Sequence, residues 1–78
     1  MQVDRVIRAL IDHSGMSGNA VSAALNRSRE WARITSQPGR VPRIDTVADV
    51  ADVAGCEVVI IDRTTGETVA TIDPPRRA

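Results

Sequence analysis

Apolar residues recur at intervals of three and four positions near the start of the chain, which is the period of a helix with one buried face. This stripe comprises Val3, Val6, Ile7, Leu10 and Ile11. Charged residues occupy positions between them, and Ser14-Gly15 supplies the glycine on which helices commonly end. The pattern predicts a first helix over residues 3–14.

Two shorter helices are predicted next, with a tight turn between them. Ser17 is a residue type that caps helix N-termini, and it opens an apolar-periodic segment that predicts a helix over 17–25. Asn26 favours the left-handed conformation in which such helices end. Ser28 is a second cap residue and predicts a third helix over 29–36.

The last part of the chain changes from a helical period to a strand period. A fourth helix is predicted over 44–54, with Gly55 at its C-terminus. A β-branched run and an alternating run then flank a turn that contains Gly66, which predicts a β-hairpin over 57–72. Residues 74–78 are expected to form a flexible tail.

The helix order carries a recognisable pattern. Two short helices joined by a three-residue turn form a helix-turn-helix unit, whose second helix enters the major groove of DNA. A small residue, a turn residue and a second small residue stand at Ser22, Asn26 and Ala32, and a basic loop, a proline and a helix ending in glycine follow over 39–55. Over about residues 3–55 the chain resembles the Cro/repressor-type (XRE-like) family of helix-turn-helix DNA-binding proteins.

The chain departs from the family pattern at several positions. Asn26 replaces the turn glycine, Arg27 and Thr35 stand where apolar residues are usual, and Arg43 replaces the Ser or Thr cap of the next helix. The helix pattern and the resemblance together predict a mainly α fold, namely a four-helix Cro/repressor-like helix-turn-helix domain followed by a C-terminal β-hairpin.

The resemblance implies roles for particular residues. Arg29, Glu30 and Arg33 of the third helix would face base edges, since arginine can pair with guanine and glutamate can accept from cytosine. The alternative is a solvated helix face on which Glu30 and Arg33 form an ion pair. Phosphate contacts, which position the protein without specifying sequence, are expected from Ser17, Asn19, Arg27, Ser36, Gln37, Arg40 and Arg43.

The charge distribution favours this interpretation although the net charge is zero. Residues 27–43 hold five arginines and one glutamate, whereas residues 44–73 hold seven acidic residues and one arginine. Such an asymmetry is typical of a protein with a nucleic-acid face, although scattered solvated charge would give it too. Trp31, the single aromatic residue, is expected to cover the core, or alternatively to stack on nucleic acid.

Length and composition exclude several other classes. The 78 residues allow one domain, residues 1–78. A single cysteine, Cys56, and a single histidine, His13, exclude an internal disulfide and argue against a Cys/His metal site. No residue pair suggests catalysis, so we expect neither an enzyme nor a cofactor. There is no apolar run of membrane-spanning length and no signal-peptide pattern, which favours a cytoplasmic location.

The predicted hairpin suggests a partner. Alternate residues of the run 58–61 point to opposite faces, so both faces of the first strand are apolar. The helices can cover only one of them. We therefore expect a homodimer with Val59, Ile61 and Val69 in the interface, or alternatively a monomer whose hairpin caps the helical core.

Together these features predict a sequence-specific transcriptional regulator of the phage- or mobile-element-repressor type, which binds double-stranded DNA as a homodimer with its third helix in the major groove. One alternative is an antitoxin-type DNA-binding protein that holds a toxin through the C-terminal hairpin. Another is a protein-interaction module that has kept the helical fold and lost DNA binding.

Overall fold

Within residues 1–75, four α-helices and a two-stranded antiparallel hairpin follow one another along the chain. The structure is a computed structural model, and it describes residues 1–75. A 3-10 turn over Val3–Arg5 leads into the helices, so the first helix is regular over fewer residues than predicted. The helices and strands are α1 Val6–Ser14, α2 Gly18–Ala24, α3 Trp31–Thr35, α4 Ile44–Val53, β1 Val58–Ile61 and β2 Thr68–Ile72.

Local sequence signals set several helix ends. The Ser17 hydroxyl accepts a hydrogen bond from the Ala20 N–H at 3.1 Å and caps α2, as predicted. At the other end of α2, Asn26 adopts a left-handed conformation with φ of 56°. The Arg27 N–H then donates to the Ser22 carbonyl at 2.8 Å, which closes the helix with a Schellman-type turn. The prediction that Asn26 ends this helix is confirmed.

The core gathers side chains from all four helices. α1 packs against α4, and α2 packs against α3. The buried cluster consists of Ile7, Ile11, Val21, Leu25, Ala32, Val47 and Val50, with Trp31 and Val58 partly buried against it. Asp49 of α4 is also buried, and only 5% of it is exposed.

The hairpin touches the helical body at one end only. Val58 pairs with Ile72 near α4, and both are half-buried. Beyond them the strands leave the body, so that Ile60 and Ile61 are 51% and 54% exposed and Val69 is 68% exposed. The expectation that the helices cover one whole face of the hairpin is therefore wrong, because they cover only its base.

The two strands are not perfectly matched. Ile60 pairs with Ala70 and Ile61 with Thr68, so Val69 is an extra residue on β2. Such a β-bulge disturbs one strand of a pair and leaves the other regular. The turn that joins the strands contains Gly66 with φ of 78°, as its sequence predicts.

The remaining expectations on chain organisation concern the tail and membranes. Pro74 and Pro75 follow β2 without regular secondary structure. The rest of the predicted tail, residues 76–78, lies outside the described residues. Within residues 1–75, none of the helices has the length and apolar character needed to cross a bilayer.

Candidate nucleic-acid interface

A buried hydrogen bond fixes α3 against α2. The Ala32 N–H, in the first turn of α3, donates to the Ser22 hydroxyl at 3.0 Å, and Ser22 is fully buried. Gly18 of α2 also lies against Ala32, since a Cβ added there would be 3.7 Å from the Ala32 Cβ. The small residues identified in the sequence therefore do meet between these two helices.

The third helix is shorter than its sequence predicts. Arg29 and Glu30 lie in a turn before Trp31, and the connection from α2 spans residues 25–30 instead of three residues. The Ser28 carbonyl accepts the Trp31 N–H at 3.0 Å. The N-cap residue of α3 is Glu30, whose side chain makes no capping bond, so the prediction that Ser28 caps this helix is wrong. Arg29 and Glu30 are therefore not part of the helix that carries Arg33, although the sequence placed all three on it.

One side of α3 borders a shallow depression where several predicted contact residues meet. Its lining includes Arg33 and Ser36 from α3 and its C-terminus, and Ser17 and Asn19 from the start of α2. Arg8 of α1 completes the polar part of the rim. One predicted base contact and three predicted phosphate contacts thus lie around the same depression.

An adjoining depression extends the basic surface onto the N-terminal segment. Arg5, Arg8 and Arg33 line it together with Gln37. Sequence reasoning missed Arg5 and Arg8. Their i,i+3 spacing puts them on one side of the first helix, but the sequence does not show that this side lies beside α3.

The opposite side of α3 carries the remaining predicted phosphate contacts. Arg40 and Arg43 line a depression with Trp31 and Thr35. Nearby, the Arg27 guanidinium lies 5.4 Å from the centroid of the Trp31 ring. Arginines therefore border α3 on both sides.

Trp31 packs against the core and also contacts an arginine. Its side chain is half-buried and packs against the hydrophobic core, as expected. The exposed part of the ring contacts Arg27, a cation–π contact of the kind that orders an arginine on a surface. Ile34 of α3 is apolar and 37% exposed.

Acidic partners hold three of the arginines on these surfaces. Arg33 pairs with Glu30 at 2.5 Å, Arg8 with Asp12 at 3.3 Å and Arg43 with Asp45 at 3.0 Å. All six side chains are at least 42% exposed, so each pair is worth at most about 1 kcal/mol and is easily exchanged for another partner.

Backbone contacts hold the basic loop after α3 in place. The Asp4 carboxylate accepts a hydrogen bond from the Gly39 N–H at 2.7 Å, which ties the loop to the N-terminal turn. The Arg40 N–H donates to the Gln37 carbonyl at 3.1 Å. These bonds position Arg40 beside α3 although its side chain is in solvent.

Comparison with known proteins finds no likeness: no family model matches the chain, and neither the curated proteins nor the solved structures contain a match.

Proposed function

We propose that this chain is a sequence-specific transcriptional regulator of the phage- or mobile-element-repressor type, which acts in the cytoplasm and binds double-stranded DNA as a homodimer. α2 and α3 act as a helix-turn-helix unit, with α3 in the major groove. The observation that carries the proposal is the border of arginines on both sides of α3, with Arg5, Arg8 and Arg33 on one side and Arg40 and Arg43 on the other.

This arrangement suits a duplex because phosphates line both edges of a DNA groove. A short element that enters the groove brings cations on its two sides close to opposite strands. Arg40 and Arg43 contact one strand and Arg5 and Arg8 the other. Ser17 and Asn19, at the start of α2, line the depression beside Arg8 and Arg33 and add polar contacts to a phosphate.

Base reading is assigned to the exposed side chains of α3 and the turn before it. Arg33 pairs with guanine O6 and N7, Glu30 accepts from cytosine N4, and Arg29 adds a contact from the turn. Ile34 contributes apolar contact of the kind that reads a thymine methyl group.

A second candidate function shares the DNA surface and differs at the hairpin. The exposed apolar side chains of β1 and β2 favour a protein partner at that end of the molecule. In an antitoxin-type protein this partner is a toxin, and the purified chain would then remain monomeric and form a complex with a second small protein.

Salt dependence of DNA binding tests the electrostatic part of the proposal. Phosphate contacts from five arginines in each of two subunits give a slope of about −9 in log K against log salt concentration, since each contact adds about 0.9. These arginines are Arg5, Arg8, Arg27, Arg40 and Arg43. Arg40→Ala removes one contact per subunit and should flatten the slope by about 2. The measurement is fluorescence anisotropy of a labelled duplex in salt from about 50 to about 300 mM, because added salt weakens ionic contacts strongly over this range.

Arg40→Lys is the matched control, because it keeps the charge and should keep the slope. An unchanged slope in Arg40→Ala would exclude Arg40 from the interface. Absence of DNA binding by the parent chain at low salt would contradict the proposed function as a whole.

A further inference from the structure

The two strands of the hairpin present different outer edges. β2 is interrupted by the bulge at Val69, whereas β1 is regular over Val58–Ile61. In the described part of the chain the sheet contains only these two strands, so the outer edge of β1 has no neighbouring strand. A regular, apolar edge of this kind can pair with another strand.

The hydrogen bonds of the turn show which backbone groups point to that edge. The Asp62 N–H donates to the Glu67 carbonyl at 2.8 Å, and the Asp62 carbonyl accepts from the Gly66 N–H at 2.8 Å. Both backbone groups of Asp62 therefore face β2. Because the direction alternates along a strand, those of Val59 and Ile61 face the free edge.

The side chains along this edge form a self-complementary row. Val59 and Ile61 lie at alternate positions of β1 and share one face of the sheet. Glu57 directly precedes the strand, and Arg63 lies in the turn that follows it, so an acid and a base flank the two apolar residues. Val59 is 38% exposed and Ile61 is 54% exposed. On an antiparallel second copy the order of these residues is reversed, so that base lies across from acid and apolar residues lie across from apolar residues.

We propose that two copies of the chain pair along β1 in antiparallel orientation, about a two-fold axis at Ile60, and so form a four-stranded sheet. Val59 then lies across from the partner's Ile61, and the outward backbone groups of these residues exchange hydrogen bonds. Glu57 lies within ion-pair reach of the partner's Arg63, and symmetry gives this pair twice.

The backbone directions and the charges select this register. A two-fold axis midway between two neighbouring residues would place a residue whose backbone groups face the free edge opposite one whose backbone groups face β2. An antiparallel ladder does not allow such a pair. An axis at Val59 would place Ile61 against the partner's Glu57, and an axis at Ile61 would place Val59 against the partner's Arg63. Only the axis at Ile60 pairs apolar with apolar residues and acid with base.

This inference specifies the contact surface of the homodimer in the proposed function, and it does not depend on DNA binding. Its tests are therefore made on the full chain without DNA. A dimer that forms as described but fails to bind duplex DNA would reject the proposed function and keep the pairing.

Charge reversal is the first test. Glu57→Arg turns both ion pairs of the dimer into like-charge pairs, and it should weaken dimerisation about tenfold. Glu57→Arg with Arg63→Glu restores opposite charges and should bring the dimer dissociation constant back to within about threefold of the parent value. Glu67→Arg is the control, because it makes the same net charge change on an exposed residue that lies off the β1 edge.

Sedimentation velocity over a concentration series measures these dissociation constants. A parent chain that is monomeric at micromolar concentration would overturn the proposal, whether or not another protein binds it. A dimer weakened equally by Glu57→Arg and Glu67→Arg, or not rescued by the double reversal, would overturn the register.

Disulfide trapping is the second test and does not depend on charge. With the axis at Ile60, the two copies of this residue form a non-hydrogen-bonded pair with Cα atoms about 4.5 Å apart, within the range of a disulfide. In a Cys56→Ser background, Ile60→Cys should crosslink under mild oxidation. Val59→Cys should not, because its copies are offset by two residues along the strands and lie more than about 7 Å apart. Crosslinking at 59 instead of 60 would contradict the pairing.

Discussion

The ion pair between Glu30 and Arg33 affects both the affinity and the sequence discrimination of the proposed base-reading surface. The Arg33 Nε donates to the Glu30 carboxylate across one turn, and both side chains are more than half exposed. An exposed pair of this kind contributes about 0.2–1 kcal/mol, so a better partner can replace either member at small cost. On a matching sequence, guanine takes the arginine and cytosine takes the carboxylate. On other sequences the carboxylate keeps its negative charge near the phosphates and gains no donor from cytosine, which opposes binding.

Removing the Glu30 charge should therefore raise affinity and lower discrimination. We predict that Glu30→Gln binds a scrambled duplex roughly fivefold more tightly, since one unit charge at contact distance in water is worth about 1 kcal/mol. Affinity for the preferred duplex should rise less or fall, because cytosine loses its acceptor. Anisotropy titrations on both duplexes measure the ratio.

Glu67→Gln provides the control for this substitution, because it removes the same charge from an exposed position on the hairpin. If Glu30→Gln and Glu67→Gln change the affinity for scrambled DNA equally, Glu30 has no special place in the interface.

At the scale of elements, the contact between α2 and α3 decides where the proposed reading surface points. α3 has five residues, too few to be stable alone, and its N-terminal turn has no side-chain cap of its own. Ser22 supplies the missing acceptor from α2. Local signals predicted the cap of α2 at Ser17 and its left-handed end at Asn26, because each acts within a few residues. Local signals do not predict the length of α3, because its first turn depends on a residue ten positions away in the sequence.

Ser22→Ala should destabilise the fold more than its small change in volume suggests. The buried Ala32 N–H loses its acceptor, and an unsatisfied buried donor costs about 1–3 kcal/mol in the free energy of unfolding. Urea unfolding followed by circular dichroism measures the loss. The weakened DNA binding that accompanies it should exceed the loss of folded protein, because α3 is no longer held against α2.

Ser36→Ala is the comparison variant, since the Ser36 hydroxyl makes only an exposed bond to the Arg33 carbonyl at 3.3 Å. Its expected cost is within about 0.5 kcal/mol. Equal unfolding free energies for Ser22→Ala and Ser36→Ala would show that the Ser22 bond does not support α3.

At the scale of the whole molecule, the basic surface and the apolar surface of the hairpin lie on different elements. Arg5, Arg8, Arg40 and Arg43 border α3. Four exposed apolar residues lie together on the hairpin, namely Val59, Ile60, Ile61 and Val69. The sequence predicted the basic segment 27–43 and the hairpin, because both are continuous in the chain. It did not predict that Arg5 and Arg8 join this basic surface, which requires the packed arrangement of α1 and α3. The bulge at Val69, which distinguishes the two edges of the hairpin, also depends on strand pairing that the sequence alone does not specify.

This arrangement gives the two surfaces different roles in the proposed dimer, namely dimerisation and DNA binding. Two hairpins join at one end, and two α3 surfaces remain free to contact DNA. A two-fold dimer of this kind reads two half-sites with centres about one helical turn apart, roughly 10 base pairs. The preferred DNA should therefore contain an inverted repeat.

Selection of bound duplexes from a random DNA pool, run in parallel on the parent chain and on Arg33→Ala, tests the central claim most directly. The parent should return an inverted repeat with half-sites about 10 base pairs apart. Arg33→Ala should lose the preference for guanine at one position of each half-site, a loss of about 1–3 kcal/mol in discrimination, and Arg33→Lys should restore it in part. A parent chain that enriches no motif, or an Arg33→Ala chain that returns the parent motif with equal preference at every position, would contradict the account.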